Sequence, residues 1–125
     1  MQIIIPMSGI GQRFLNAGYD TPKPLILVDD IPMIQHVVNL FPGEDNFIFI
    51  CNKLHLETTN MFKILKSIKP NCNILSVPNE NRKGPVHAVS LVFNQITNFE
   101  EVIVSYCDYG TDWDYKFFLE DTRNR

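Results

Sequence analysis

The sequence predicts an α/β fold in three layers, with helices covering both faces of a mostly parallel sheet. Three observations lead there. Short runs rich in β-branched residues alternate with segments of helical periodicity along the chain, and that alternation implies right-handed crossovers between parallel strands. The apolar runs are continuous rather than alternating in polarity, as in strands buried on both faces. The chain has 125 residues, 45% of them hydrophobic and 20% charged, which suits one globular domain with a real core.

Residues 3–5 are three isoleucines ended by Pro6 and form the first strand. Residues 7–24 are a long loop containing Gly9, Gly11, Gly18, Pro22 and Pro24. Residues 25–28 read as a short strand that meets a turn at Asp29-Asp30, and Pro32 opens a helix with Ile34, Val37, Val38 and Phe41 near one face. Pro42-Gly43 stops it. Residues 47–51 are the second clear strand. One helix is expected over residues 54–68, with Met61, Ile64, Leu65 and Ile68 at helical spacing, Lys66 and Lys69 near its C-terminal end, and Pro70 beyond.

Residues 73–77 are the third strand, and Gly84-Pro85 opens a third helix through Ala88, Leu91, Val92 and Gln95. Residues 102–104 are the fourth strand. Residues 114–121 form a last helix, and the polar tail of residues 122–125 is expected to fray. No repeat, low-complexity segment or interdomain linker interrupts this order.

Charge and composition exclude several classes. Eleven basic against 14 acidic residues give a net charge of −3, which excludes a generally basic nucleic-acid coat but not a local anion site. No apolar run approaches the roughly 20 residues of a membrane span. The N-terminal apolar run is too short for a signal peptide and has no basic region ahead of it. Cys51, Cys72 and Cys107 are odd in number and far apart, which fits reduced thiols in the cytoplasm.

Ligands of such sheets gather at the carboxyl ends of the strands. Two segments there carry chemistry: the glycine loop after the first strand, and Cys107-Asp108 after the fourth. In Ser8-Gly9-Ile10-Gly11-Gln12-Arg13-Phe14 the glycines let the backbone turn sharply and aim amide N–H groups at a phosphate. A bare Gly-x-Gly is equally a plain tight turn. Phe14 stands where a dinucleotide fingerprint needs a third glycine, and the Gly-Lys-Ser/Thr of a P-loop is absent. Arg13 adds a permanent positive charge beside the amides. Lys23 is framed by Pro22 and Pro24, which limit its backbone and aim its side chain. Together these features point to a polyphosphate site.

Gly9-x-Gly11-x-Arg13-Phe14 followed by Pro22-Lys23-Pro24-Leu25 resembles the signature of sugar-phosphate nucleotidylyltransferases, the sugar-nucleotide pyrophosphorylases. Val28-x-x-x-Pro32-x-Ile34 resembles the family's next motif. The resemblance is close over residues 1–40 and looser beyond. Gln12 stands where the family commonly has Ser or Thr, and Asp30 where a turn glycine is usual; Asp tolerates left-handed geometry.

The resemblance implies a Rossmann-like, glycosyltransferase A-like nucleotidyltransferase fold that is incomplete here. The family's domain is roughly twice this length, a size ordinary for one domain, so residues 1–125 are expected to be its N-terminal part. It implies Arg13 and Lys23 as catalytic cations and Met7, Ser8, Gly9 and Gly11 as nucleotide-binding residues. Asn79 and Gly84 would flank the base in the loop of residues 79–88, which is otherwise an ordinary polar loop opening a helix. Asp108 would hold Mg²⁺, a cation that prefers oxygen ligands, although Cys107 replaces the family's glycine; its bland reading is a turn aspartate. Tyr106-Cys107-Asp108-Tyr109 with Trp113 resembles the branch serving capsular and other surface polysaccharides.

The implied reaction transfers a nucleotidyl group from a nucleoside triphosphate to a sugar phosphate and releases pyrophosphate. The alternative is a truncated, non-catalytic nucleotide-binding or regulatory module. No nucleic-acid or membrane partner is expected. An unpaired sheet edge is expected to favour a homo-oligomer. The remaining candidates are weak. Cys51 and His55 are spaced like half a zinc site with no second pair, while His36 and His87 read as structural, and Asp29-Asp30 as a turn.

Overall fold

The protein is described from a computed structural model, and the structure describes residues 1–9, 21–78, 85–92, 94, 100–107 and 113–124. Its elements are β1 (Gln2–Met7), a 3₁₀ turn (Lys23–Leu25), β2 (Leu27–Val28), β3 (Ile31–Pro32), α1 (Met33–Val38), β4 (Phe47–Asn52), α2 (Lys53–Thr58), α3 (Met61–Ile68), β5 (Asn73–Val77), α4 (Pro85–Leu91), β6 (Val102–Val104) and α5 (Tyr115–Arg123). Four strands form one sheet in the order β5-β4-β1-β6, with every pairing parallel.

Helices cover both faces, as the alternation predicts. On one face Ile3, Ile5, Phe47 and Phe49 pack with Ile34 and Val37 of α1, Met61 and Leu65 of α3, and Tyr115 of α5. On the other, Ile4, Ile48 and Ile50 pack with Val77, Val92 and Ala88 of α4. Successive residues of β1 and β4 thus feed opposite cores, which is why both runs are uniformly apolar.

Pro6 does not end the first strand. Ile3 N donates to Asn46 O and Gln2 N to Glu101 O, so even-numbered residues of β1 bond toward β6. Pairing with β6 stops at Ile4–Val104. The N–H that Pro6 lacks therefore faces a side where no strand among the described residues continues the pairing, and proline is tolerated there.

The helix expected over residues 54–68 is two helices. Thr58 Oγ1 donates to Leu54 O at 2.7 Å and Thr59 Oγ1 to His55 O at 2.5 Å, and Thr59 itself is extended (φ −132°, ψ 175°). Hydroxyls that bond back onto the preceding turn compete with helix propagation. The strand expected at residues 25–28 begins instead with the 3₁₀ turn, and only Leu27–Val28 pairs, with Ile31–Pro32 in a hairpin. Asp29 and Asp30 both have positive φ (51° and 68°), so the aspartates make the left-handed turn at their centre. The helix after Pro32 closes at Val38, and two i+3 turns then bring Phe41 into the core.

The tail does not fray where expected. Thr122 and Arg123 continue α5, and the Arg123 guanidinium grips the Glu101 carboxylate through two bonds of 2.8 and 2.6 Å. A planar fork on a carboxylate is the geometry arginine offers and lysine does not. At its other end α5 is capped by Asp114, which accepts from Phe117 N at 3.0 Å. Trp113 Nε1 donates to Leu40 O at 2.9 Å, and the Tyr115 hydroxyl donates to Glu44. The helix is tied down from both ends.

Candidate functional site

Because the four sheet strands are parallel, their carboxyl ends lie along one edge. Met7, Ser8 and Gly9 leave β1 at its centre. Met7 and Ser8 are buried while Gly9 is exposed. A Cβ built on Gly9 would meet no atom of the described residues within 4 Å, and positive φ occurs at Gly43 among the described glycines but not at Gly9. Neither packing against the described residues nor a positive φ requires glycine at position 9.

Asn52 holds this strand end from beneath. It is the last residue of β4 and fully buried. Its Nδ2 donates to Ser8 O at 3.0 Å, and its Oδ1 accepts from Leu54 N at 2.9 Å as the N-cap of α2. One amide therefore links the start of the glycine loop to the neighbouring strand and helix, using a donor and an acceptor that a carboxylate or alkyl group cannot both replace. Sequence reasoning missed this residue. The signal was an asparagine between an apolar strand and a helix, which is a capping position.

Lys23 sits in the 3₁₀ turn, half-buried between buried Pro22 and Pro24. Leu25 N bonds back to Pro22 O at 2.9 Å and Ile26 N to Lys23 O at 3.2 Å. Leu25 joins the same core as Met7. The prolines thus fix the backbone on either side of the lysine, as the sequence predicted, and the turn is anchored in the larger core and against α1. A neighbouring cleft of about 370 Å³ runs between Pro22, Leu25 and the 58–60 segment, where the Thr58 and Thr59 hydroxyls donate to backbone carbonyls.

Cys107, at the end of the chain leaving β6, packs against the larger core. Burial, with Cys72 and Cys107 nearby, pushes the Cys51 thiol up to about 12. Cys51 is thus an inert core thiol. His36 Nε2 lies 2.6 Å from Val28 O, tying α1 to the hairpin in the structural role expected of it. Arg13, Gly11, Asn79, Gly84 and Asp108 lie outside the described residues. Among the described residues, no group of three or more His, Cys, Asp or Glu could hold a metal ion, and no helix is long and apolar enough to cross a membrane.

No model of a known protein family matches the chain. It is 28% identical over 111 residues to the UTP–glucose-1-phosphate uridylyltransferase of Haemophilus ducreyi, an alignment covering 71% of this chain and 38% of that protein. Its fold superimposes on a Bacillus anthracis structure assigned as a glucose-1-phosphate thymidylyltransferase, solved with sucrose, with a TM-score of 0.77 at 22% identity, over 99% of this chain and 50% of that one. A UDP-glucose pyrophosphorylase solved with UDP-glucose matches with a TM-score of 0.60 at 25% identity, over 85% of this chain and 45% of that one. The homologues of this chain are sugar-phosphate nucleotidylyltransferases, and it spans well under two-thirds of their length.

Proposed function

We propose that residues 1–125 supply the nucleotide-binding part of a sugar-phosphate nucleotidyltransferase domain, which joins a nucleoside triphosphate to a sugar phosphate and releases pyrophosphate. The observation that carries this reading is the end of β1: a buried Ser8 pinned by Asn52, followed by an exposed glycine that packs on none of the described residues. Homology over 71% of the chain supports it.

In the proposed reaction a phosphate oxygen of the acceptor attacks the α-phosphorus. The bond from that phosphorus to the bridging oxygen breaks, and pyrophosphate leaves with the electron pair. The nucleophile is already anionic, so no strong general base is needed. The task is to bring two polyanions together and stabilise the charge on the leaving group, which is electrostatics and positioning. Amides of the loop after Ser8, with Gly9, Gly11 and Arg13, hold the triphosphate. Lys23 neutralises charge at the α-phosphate. Asn79 and Gly84 flank the base. Asp108, next after Cys107, is the proposed ligand of Mg²⁺, which when bound neutralises and orients phosphate oxygens. The reduced core thiols suit the cytoplasm, and nucleotide sugars made there for capsular or other surface polysaccharides are the proposed product.

The relatives' names place UTP and a thymidine triphosphate at the head of a screen of thermal stability with Mg²⁺. One triphosphate is expected to raise Tm, with stabilisation of about 2.7 kcal/mol at a hundredfold excess over Kd. Lys23→Ala is expected to abolish the rise. If no triphosphate stabilises the chain, the reading fails. A second reading is a module that binds nucleotide without transfer; the pinned strand end at Ser8 serves binding in either case. A pyrophosphate assay with triphosphate, Mg²⁺ and glucose 1-phosphate tests transfer: this chain alone is expected to release none, and release would exclude the second reading.

A further inference from the structure

We infer that Asn52 is a positioning residue of the phosphate site: by holding Ser8 O it aims the Gly9 N–H outward, as a preset donor for a phosphate oxygen. The inference rests on the nucleotide-binding reading above and adds to it the residue that orients the first amide of the loop. Along a strand every second carbonyl points to the same flank. Ile4 O accepts from Ser105 N at 2.9 Å, on the flank where β6 lies, and continued alternation would send Ser8 O the same way. Ser8 O accepts instead from Asn52 Nδ2 at 3.0 Å, and Asn52 ends β4, the strand on the opposite flank. The peptide joining Ser8 to Gly9 is therefore rotated out of the pattern of the strand. That peptide is planar and trans, so its C=O and N–H point in opposite directions. With Ser8 O held by Asn52, the Gly9 N–H points away from β4. Gly9 is exposed, and among the described residues no acceptor meets its N–H.

The holding bond has one setting. Asn52 is fully buried, and Leu54 N donates to its Oδ1 at 2.9 Å. A backbone N–H only donates and a backbone carbonyl only accepts, so a single orientation of the carboxamide satisfies both neighbours. Glycine at position 9 would otherwise let the peptide ahead of it turn easily. Fixing that peptide before a ligand arrives removes an ordering cost from binding. The preset donor suits an anionic oxygen, because bonds from backbone N–H groups to charged acceptors are shorter and stronger than neutral ones. The buried amide thus acts on the ligand through Ser8 and Gly9 without touching it.

NMR of the full chain carrying glycine labelled with the heavy nitrogen isotope tests this. The chain has 6 glycines, and Gly9→Ala identifies the signal of Gly9. The probes are UTP and thymidine triphosphate, each with Mg²⁺. In the wild type, binding is expected to move the Gly9 N–H signal downfield, as a new bond to an anionic oxygen requires. Asn52→Ser keeps a capping oxygen for Leu54 N and adds no charge, but its side chain ends one bond short of Nδ2. It is expected to fold, to show a displaced Gly9 signal before any triphosphate is added, and to bind about tenfold more weakly with a smaller Gly9 response at saturation. If that variant does not fold, Asn52→Asp, which also keeps the cap, serves the same comparison. Triphosphate binding that leaves the wild-type Gly9 signal in place overturns the inference and needs no variant. A folded Asn52→Ser with wild-type affinity and the wild-type Gly9 response overturns it as well, because Asn52 is then only a helix cap. In both cases the nucleotide-binding reading stands. A wild-type chain that binds neither triphosphate overturns that reading and this inference together.

Discussion

β4 and β6 flank the same strand, both run parallel to it, and both are apolar in sequence, yet they end in different environments. Every residue of β4 is buried, whereas β6 leaves Val102 and Val104 largely exposed. The difference lies in what stands beyond each strand. β4 has β5 on its outer side and helices on both faces. β6 has, among the described residues, nothing on its outer side and a groove on each face. An apolar run thus marks a strand that will be covered, without saying whether its own chain supplies the cover.

The largest expected effect tests that contrast directly. Phe49→Ala in β4 empties a fully buried aromatic site and is expected to cost about 3–5 kcal/mol in denaturant unfolding. Val104→Ala in β6 is expected to stay within about 0.5 kcal/mol for the monomer. Equal losses would mean that the described surface of β6 is not its true environment.

Asn52→Ala comes next. It strands Ser8 O and Leu54 N, for an expected loss of about 1–3 kcal/mol. Asn52→Asp sharpens the result, because it keeps the α2 cap but cannot donate to Ser8 O and adds a negative charge beneath the proposed phosphate loop. That variant is expected to remain folded while losing most of the triphosphate-induced rise in Tm.

Gly9→Ala should behave as a site variant rather than a fold variant. With no neighbour among the described residues to meet and no positive φ to strain, its stability is expected within about 0.5 kcal/mol of wild type. Its triphosphate response should fall. A fully retained response would remove Gly9 from the site.

Thiol titration compares core and margin. Cys51 and Cys72 are buried, and burial raises both thiols, whereas Cys107 is partly exposed. One thiol per native chain is expected to react quickly, and Cys107→Ser to remove it. Because the Cys51 value is raised in the folded state, its contribution is complete below the ordinary thiol range and is lost as pH climbs toward about 12.

The smallest effect is at the surface. The Arg123 fork holds Glu101 below the ordinary carboxylate range. A lowered folded-state pKa gives stability that is present above the unfolded carboxylate's pKa and lost as pH falls through the folded one. Arg123→Ala should remove that acid-range slope while changing stability at neutral pH only slightly, because the pair is solvent-exposed.

The parallel sheet was legible from the sequence because its strands are short apolar runs with polar or turn-forming neighbours. The strands at residues 73–77 and 102–104 match their expected limits. The Asp29-Asp30 turn was legible for a similar reason, since aspartate is one of the few residues that accept φ near +60°. The fixed backbone around Lys23 was legible because prolines constrain backbone locally, whatever surrounds them. Asn52 was not read as part of the site, because its importance depends on Ser8 O, which lies 44 positions away in sequence and 3.0 Å away in space. The break at Thr59 was missed because apolar spacing persists across it while the hydroxyls do not register in that periodicity.

By itself the sequence determined the layer order, the candidate phosphate loop and the resemblance to nucleotidyltransferases, all of which rest on local composition and spacing. Only the tertiary structure decided which side of Pro6 lacks a partner, which amide pins the loop, and which strand is left open. Hydrogen bonds between distant strands follow from register, and register exists only once the sheet has assembled.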